Sequence, residues 1–375
     1  MLEISLIMLG AGSSTRVGLK TKKQWLRIGD EPLWLFASKN LASFYKFKEI
    51  IIVGDEPKYM QKFNSDFIYV KGGNTRQESL KNALDKASAA FVLVSDVARP
   101  CVNKELFLRL INKIEKIDCV VPYLSVADTA YLGEHSVDRS ELMLVQTPQL
   151  SNTQILKQAL QTDTLFTDDS SAIRATGGKI AYVKGDENTR KITTASDLNK
   201  ILGLSAPSPV CFAGGGFDVH KFTPNKKLVL CGVSVPYELG LLAHSDGDVA
   251  THALCDAILG AAGLGDIGEH FPDTDDKFKN ANSIELLKQV YAKVQNVGFE
   301  LVNADITIMA ERPKLSAFKD EMAKVLANAL NISQARINVK ATTTEKLGFV
   351  GRGEGIAASA NVSLKYYNWQ SETGA

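Results

Sequence analysis

Two groups of residues in this 375-residue chain have the types and spacing to do chemistry. One is Asp218-Val219-His220, followed by His244-Ser245-Asp246-Gly247-Asp248 and then His252. Alternate side chains of an extended segment share a face, so Asp218 and His220 point the same way. After Ser245 a helix is expected, with Val249, Ala250, Ala253, Leu254, Ala257, Ile258 and Ala261 as its apolar stripe. Asp248, His252 and Asp256 recur every fourth residue and form a second, polar stripe. Asp, His and His as three ligands, with one position left open, describe a reactive rather than a structural zinc site. A lone histidine more often satisfies a core hydrogen bond than it binds a metal. Four of the five histidines fall within residues 220–270, however, which favours a common purpose. Two further strings lie nearby in character: the Gly/Asp loop Gly265–Asp275, and Lys340–Gly355, which sets Thr342-Thr343-Thr344-Glu345 beside Gly-rich turns. Hydroxyls and backbone amides suit phosphate, and Glu345 suits a metal that bridges a diphosphate, although the threonines also read as plain strand residues.

The other group sits in the first half. Gly10-Ala11-Gly12-Ser13-Ser14-Thr15-Arg16 follows an apolar run, and Lys23 lies seven residues beyond Arg16. Small residues let backbone N–H groups face a phosphate, and two cations flanking such a loop suit a triphosphate. The loop lacks Gly-Lys-Ser/Thr, which excludes a P-loop. Gly72–Ser79 and Ser95–Pro100 are two more polar strand exits. A lone Asp96 at a strand end serves equally as a magnesium ligand or a helix cap.

The elements that must position these residues follow from periodicity. Apolar strands are expected at Ile4–Leu9, Glu49–Val53, Phe67–Val70, Phe91–Ser95, Cys119–Pro122 and Lys179–Val183, with helical patterns such as Arg76–Ala87 and Lys104–Ile117 between them. Strand–helix alternation implies an open α/β fold with a mostly parallel sheet, whose ligands sit beyond the carboxyl ends of the strands. Gly203–Pro209, with two Pro, two Ser and no charge, reads as a linker. The chain is thus expected to hold a domain at 1–202, a linker at 203–210 and a second α/β or α+β domain at 211–375, with strands near 228–235, 300–309, 336–343 and 356–364 and a frayed tail after Tyr367.

Composition narrows the function. With 43 Lys plus Arg against 42 Asp plus Glu, the net charge of +1 supplies no general nucleic-acid coat or polybasic membrane anchor. Five cysteines without a CxxC argue against a disulfide framework or a thiolate zinc cluster. No stretch of about 18 apolar residues occurs, so a membrane span is not expected and the cytoplasm is the expected compartment.

At this point the residues resemble two families. Gly10-Ala11-Gly12-x3-Arg16, Lys23-Gln24, Gly72-Gly73-x2-Arg76-x2-Ser79, Asp96-x2-Arg99-Pro100, Asp128-Thr129, Thr147-Pro148-Gln149 and Thr167-Asp168-Asp169 occur in the order of the methylerythritol phosphate cytidylyltransferases. The similarity spans nearly all of residues 1–200 and implies a Rossmann-like nucleotidyltransferase fold. Departures are Ser95 and Val97 for the usual His and Ala around the Asp, Lys22 for a Pro, and Ser14 for a Gly. The resemblance implies that Arg16 and Lys23 hold the CTP phosphates, that Gly12, Asn74 and Ser79 line the cytosine and ribose pocket, and that Asp96 contacts Mg²⁺ or Mn²⁺. Arg99, Thr129, Arg139, Thr147 and Lys191 would hold the methylerythritol phosphate, Thr129 and Arg139 acting across a dimer interface from an arm at 123–145.

Ser245-Asp246-Gly247-Asp248-Val249-x2-His252-Ala253-Leu254-x-Asp256 and Thr342-Thr343-Thr344-Glu345-x-Leu347-Gly348-Phe349 are similar to the methylerythritol cyclodiphosphate synthases, over about 211–366 and without a significant departure. That resemblance implies Asp218, His220 and His252 as Zn²⁺ ligands, with Glu345 reaching a second divalent ion. His244, Ser245, Asp266, Gly268 and Asp273 would surround the methylerythritol phosphate. Ala310, Lys314, Leu315, Ala341, Thr342 and Thr343 would form the cytidine pocket of a neighbouring subunit in a trimer with a central cavity near Phe217 and Arg352, and Phe349 and Arg352 would also bind substrate. Together the resemblances imply a bifunctional enzyme of non-mevalonate isoprenoid synthesis, active on CTP, methylerythritol phosphate and its cytidyl derivatives, with no nucleic-acid or membrane partner. The rival readings are transfer to another polyol or sugar phosphate, and a zinc-bound scaffold without turnover.

Overall fold

The structure, a computed structural model, describes residues 2–201, 203–272, 274–275 and 281–373. The chain divides into two units, Met1–Pro207 with Asn368–Ala375, and Ser208–Tyr367.

In the first unit the strands Phe91–Asp96, Ile4–Leu9, Ile50–Gly54 and Ile68–Lys71 lie side by side in parallel. Their interior is a near-continuous apolar run because helices cover both faces. The register sets Leu9 opposite both Asp96 and Val53, and Val53 opposite Val70. All four strands therefore end at one level, and the three polar exits that follow them converge. Gln149–Asn152 continues the sheet antiparallel to Phe91–Asp96 and beside Cys119–Ser125. Ile180–Lys184 runs parallel to Cys119–Ser125 and delivers residues 185–192 to the same end. The fold is α/β with a parallel-rich sheet, as expected from the alternation.

The tail departs from the expected frayed end. Residues 369–373 form a short helix, Trp369 is buried, and its Nε1–H donates to the Arg27 carbonyl at 2.8 Å. Burying an indole is worth on the order of 4 kcal/mol, enough to hold a polar tail against the first unit. Residues 368–373 accordingly belong with that unit rather than with the second domain expected to run to 375.

The second unit is built on a five-stranded sheet in which Cys211–Thr223 pairs with Gly355–Tyr366, and Phe299–Met309 pairs with Gly355–Tyr366 and Ile337–Thr342. The helix Val249–Ala262 packs on Cys211–Thr223. Gly214 and Gly216 make that approach possible: a Cβ on either would stand 2.1 or 2.0 Å from the carbonyl oxygen of Ala257 or Ala253. Gly214, Gly216, Asp218 and His220 share the helix-facing side by strand alternation. The long strand, read from sequence only as a Gly-rich start with one extended segment, thus presents its ligand residues to the helix that carries His252. Among the described residues no helix is long and apolar enough to cross a membrane.

Candidate active sites

In the first unit a cavity of about 450 Å³ is lined by Gly10, Gly12, Arg16, Lys23, Asn74, Ser79, Asp96 and Lys191 among others. The first loop is held by its own side chains. Ser14, at φ 62°, donates from Oγ to Gln24 Oε1 (3.0 Å) and accepts from the Lys23 backbone N–H (3.0 Å), while Gln24 Nε2 donates to the Gly12 carbonyl (3.0 Å). Ser14 thus occupies a left-handed position that glycine usually takes and supplies a clip in return. Lys22, where the resemblance leads one to expect Pro, pairs with Asp55 at 2.6 Å, and Trp25 Nε1 donates to the same carboxylate at 3.1 Å. These contacts fix the backbone around Lys23, whose Nζ donates to the Ile192 carbonyl at 3.1 Å. Burial, then the charges of Lys191 and Arg16, pull the Lys23 ammonium below its ordinary pKa, against the opposing pull of Asp96.

A second cavity of about 560 Å³ is lined by Arg99, Thr147, Gln149, Asp168, Arg174 and Tyr182, and shares Arg76, Asp96 and Lys191 with the first. Lys191 Nζ donates to Asp96 Oδ2 at 2.5 Å, and Arg76 Nε lies 3.8 Å from Asp96 Oδ1. Burial pushes the Asp96 carboxyl up, but Lys191 and Arg76, with Arg99, more than offset it and hold it below its ordinary value. The segment carrying Lys191 is fastened to the strand exit: Ile192 N–H donates to the Ala98 carbonyl (2.8 Å) and Arg99 Nη1 to the Thr189 carbonyl (2.5 Å). Arg76 also pairs with fully buried Asp169 at 2.9 Å. Burial keeps the Asp169 carboxyl above its ordinary value despite that partner. Arg76 and Asp169 stood in the quoted motifs without a role; their motif positions were the signal, and their pairing is a tertiary fact.

Thr129 and Arg139 line neither cavity. Both are exposed on the excursion that contains the small hairpin Ala130–Leu132 and His135–Val137, where Arg139 donates to the Ala127 carbonyl. Tyr131, Leu132, Met143 and Leu144 leave an apolar surface on the same excursion.

In the second unit a cavity of about 600 Å³ is lined by Asp218, His220, His244, Ser245, His252, Asp256 and Gly268. The Nδ1 atoms of His252 and His220 lie 3.2 and 3.3 Å from the same Asp218 Oδ2. His220 Nδ1 is buried without a hydrogen bond, its approach to Asp218 being poorly aligned. Tetrahedral bonds of about 2.0–2.1 Å separate neighbouring ligands by about 3.3 Å. Both separations from Asp218 match that spacing, and the three residues, with ligand atoms within 4.8 Å of one another, form the one His/Cys/Asp/Glu group of this kind among the described residues.

Two neighbours behave otherwise than their stripe suggests. Asp248 is buried and accepts from the N–H groups of Cys231, Gly232 and Thr251 and from Thr251 Oγ1, so it caps the helix and fastens the preceding turn. Asp256 accepts from the Ile267 N–H at 2.8 Å. It does not serve His252, whose Nε2 instead meets Ser283 Oγ (3.0 Å) and Ser245 Oγ (3.2 Å). Ser283 carried no signal beyond a helix start at Asn282-Ser283. Asp266 caps the short helix Ile267–His270 by accepting from Glu269 N–H, and does not line the cavity. Asp273 lies outside the described residues.

The remaining candidates cluster away from that cavity, at the ends of Phe299–Met309 and Ile337–Thr342. The parallel register pairs Ile308 with Ala341 and Met309 with Thr342, and Ala310 N–H donates to the Thr342 carbonyl at 3.0 Å. Lys314, Thr343, Glu345, Phe349 and Arg352 are exposed, and Leu315 is buried beneath them. Glu345, at φ 52°, accepts from Thr343 Oγ1 at 2.9 Å. None of these residues lines the Asp218 cavity.

Comparison with known proteins bears on both halves. The family profile described as 2-C-methyl-D-erythritol 4-phosphate cytidylyltransferase matches residues 4–201, and the YgbB family profile matches residues 211–365. The chain is 63% identical over 369 residues to the bifunctional enzyme IspD/IspF of Campylobacter concisus, covering 98% of this chain and 99% of that one. The Campylobacter curvus protein of the same description is also 63% identical, over 98% and 100% of the two chains. The solved structure of the bifunctional IspDF from Campylobacter jejuni aligns with a TM-score of 0.91 at 56% identity, over 98% of this chain and all of that one.

Proposed function

This chain belongs to the bifunctional IspD/IspF family, and from that premise we propose how its residues divide the two reactions. The first unit is a cytidylyltransferase and the second a cyclodiphosphate synthase of isoprenoid precursor synthesis. The observation that carries the assignment of residues is the junction of two cavities at Arg76, Asp96 and Lys191. CTP occupies the cavity of Arg16 and Lys23, with Gly12, Asn74 and Ser79 around the nucleoside. Methylerythritol phosphate occupies the other, held by Arg99, Thr147 and Lys191, with Thr129 and Arg139 supplied from the arm of a partner subunit. Its phosphate oxygen attacks the α-phosphorus of CTP, and pyrophosphate leaves. The nucleophile is already an anion, so no protein base is needed. Lys23 and Arg16 neutralise charge that develops on the phosphates, and Lys191 aligns the two substrates. Asp96 supplies one carboxylate, which fits a Mg²⁺ or Mn²⁺ completed by nucleotide phosphates and water.

In the second unit Asp218, His220 and His252 would hold Zn²⁺, which supplies Lewis acidity toward a phosphate oxygen. The terminal phosphate of the cytidyl substrate attacks its own β-phosphorus and CMP leaves. His244, Ser245 and Gly268, with Asp266 and Asp273, surround the polyol. The Ala310, Lys314, Leu315, Ala341, Thr342 and Thr343 surface, with Glu345, lies apart from that cavity, which supports its serving a neighbouring subunit's site. Phe217 and Val219, 58% and 45% exposed on the sheet face opposite the helix, support trimeric contacts there, and the exposed apolar arm supports dimeric contacts of the first unit. Five free cysteines support a reducing compartment, the cytoplasm. The test is a paired assay on the full chain: pyrophosphate release from CTP with a panel of polyol phosphates, and CMP release from the phosphorylated cytidyl substrate, each with and without chelator. Indifference of CMP release to a chelator that strips the protein of zinc would remove the metal assignment.

A further inference from the structure

The most informative unassigned group is a buried relay behind His252. Ser283 is fully buried at the first turn of the helix Ser283–Asn296. Its Oγ donates to Asp246 Oδ1 at 2.5 Å, and its backbone N–H donates to Asp246 Oδ2 at 3.0 Å. A carboxylate only accepts, so the single hydroxyl proton of Ser283 is committed to Asp246. What Ser283 Oγ has left for His252 Nε2, 3.0 Å away, is a lone pair. His252 must therefore carry its proton on Nε2. The other hydroxyl near Nε2, Ser245 Oγ at 3.2 Å, accepts from Gly247 N–H and shares that proton. With Nε2 protonated, neutral His252 turns an unprotonated Nδ1 toward Asp218 Oδ2.

We infer that Ser283, oriented by Asp246, is a positioning residue that fixes the Nε2–H tautomer of His252 and so frees Nδ1 to bind the cation. This rests on the metal reading of Asp218, His220 and His252 above. A lone pair aimed at a carboxylate oxygen 3.2 Å away is repulsive by itself and becomes favourable once a cation stands between them, so the relay works toward the cation. Outer partners of a metal-bound histidine are commonly worth 10- to 100-fold in metal affinity.

The test uses the full chain, with zinc affinity measured by competition against a chromophoric chelator and the ring-nitrogen shifts of His252 read by NMR on histidine-labelled, metal-free protein. His252→Ala assigns the resonances. The wild type is expected to show a proton on His252 Nε2. Ser283→Ala should lose the unique tautomer and bind zinc about 10- to 100-fold more weakly. Asp246→Asn lets an amide donate to Ser283 and should shift the same resonances without touching His252. The Ser245→Ala, Ser283→Ala pair, lacking both acceptors, should be weaker still. Unchanged shifts and affinity within about twofold across these variants, in folded protein, would overturn the role of Ser283. Equal zinc binding by wild type and His252→Ala would instead overturn the metal reading, while the tautomer measurement would still decide whether Ser283 sets the histidine.

Discussion

Lys191 Nζ lies 2.5 Å from Asp96 Oδ2, although 95 positions separate the two in sequence. One ends a central strand; the other arrives on a segment that follows the strand Ile180–Lys184. Their contact is the wall common to the two cavities of the first unit, so a change at either residue alters both cavities.

Lys23→Ala should lower kcat of cytidylyl transfer by at least about 100-fold, the scale of losing one preorganised charge at a transition state. Nothing in the second unit depends on Lys23. Steady-state pyrophosphate release should collapse while CMP release stays at the wild-type rate. Near-normal transfer would refute the role given to this lysine.

Arg76→Ala should destabilise the first unit by about 3 kcal/mol, because it strands the buried Asp169 carboxyl. Asp169→Asn should cost less, since the amide oxygen still accepts from Arg76 and the guanidinium keeps the Asp96 carboxylate beside it. The measurement is unusually clean. All three tryptophans, Trp25, Trp34 and Trp369, belong to the first unit. Urea unfolding followed by tryptophan fluorescence therefore reports that unit, and a larger loss for Asp169→Asn than for Arg76→Ala would contradict the argument.

Acid should weaken the same unit in a defined window. Burial pushes the Asp197 carboxyl up, but hydrogen bonds from Thr193 and Thr194 hold it at about 2, below the unfolded value of about 3.9. A depressed carboxyl contributes stability that is present above about pH 4 and lost as the pH falls toward 2. Asp96 acts in the same sense, whereas raised Asp169 acts in the opposite one. Tryptophan-monitored stability should fall between pH 4 and 2, and Asp197→Asn should flatten that fall. An unaltered profile in the variant would show the hydrogen bonds to be worth nothing.

His252→Ala should remove bound zinc and abolish cyclisation with CTP turnover intact, since Asp218 and His220 alone leave two protein ligands. Asp256→Asn should retain zinc, because Asp256 holds the Ile267 N–H and not the imidazole. Elemental analysis of both purified variants separates these outcomes; loss of zinc in Asp256→Asn would place that residue among the metal's supports.

Gly216→Ala should disturb the metal cluster without altering a ligand. Its Cβ would stand 2.0 Å from the Ala253 carbonyl, so the helix carrying His252 must move off the strand carrying Asp218 and His220. Weaker zinc binding together with a lower melting temperature is the expected pair of results. Wild-type values of both would show that the interface yields freely.

The parallel sheet, the strand-end position of Arg16, Arg76 and Asp96, and the common face of Asp218 and His220 were all legible in the amino-acid sequence. They follow from periods of 2 and 3.6 residues and from the rule that parallel strands present ligands at their carboxyl ends, which are short-range properties. Partnership is different. Asp256 and Ser283 are both polar residues near helix starts or faces, and nothing in the spacing says that Ser283, 31 positions from His252, reaches its ring while Asp256, four positions away, turns to a loop amide. Trp369 looked like part of a polar tail until its indole found the Arg27 carbonyl, 342 positions distant. Such choices depend on which buried groups the packed elements bring within hydrogen-bonding distance. Only the tertiary structure decides that, because the cost of an unpaired buried polar group is levied on the folded chain and leaves no periodic trace in the sequence.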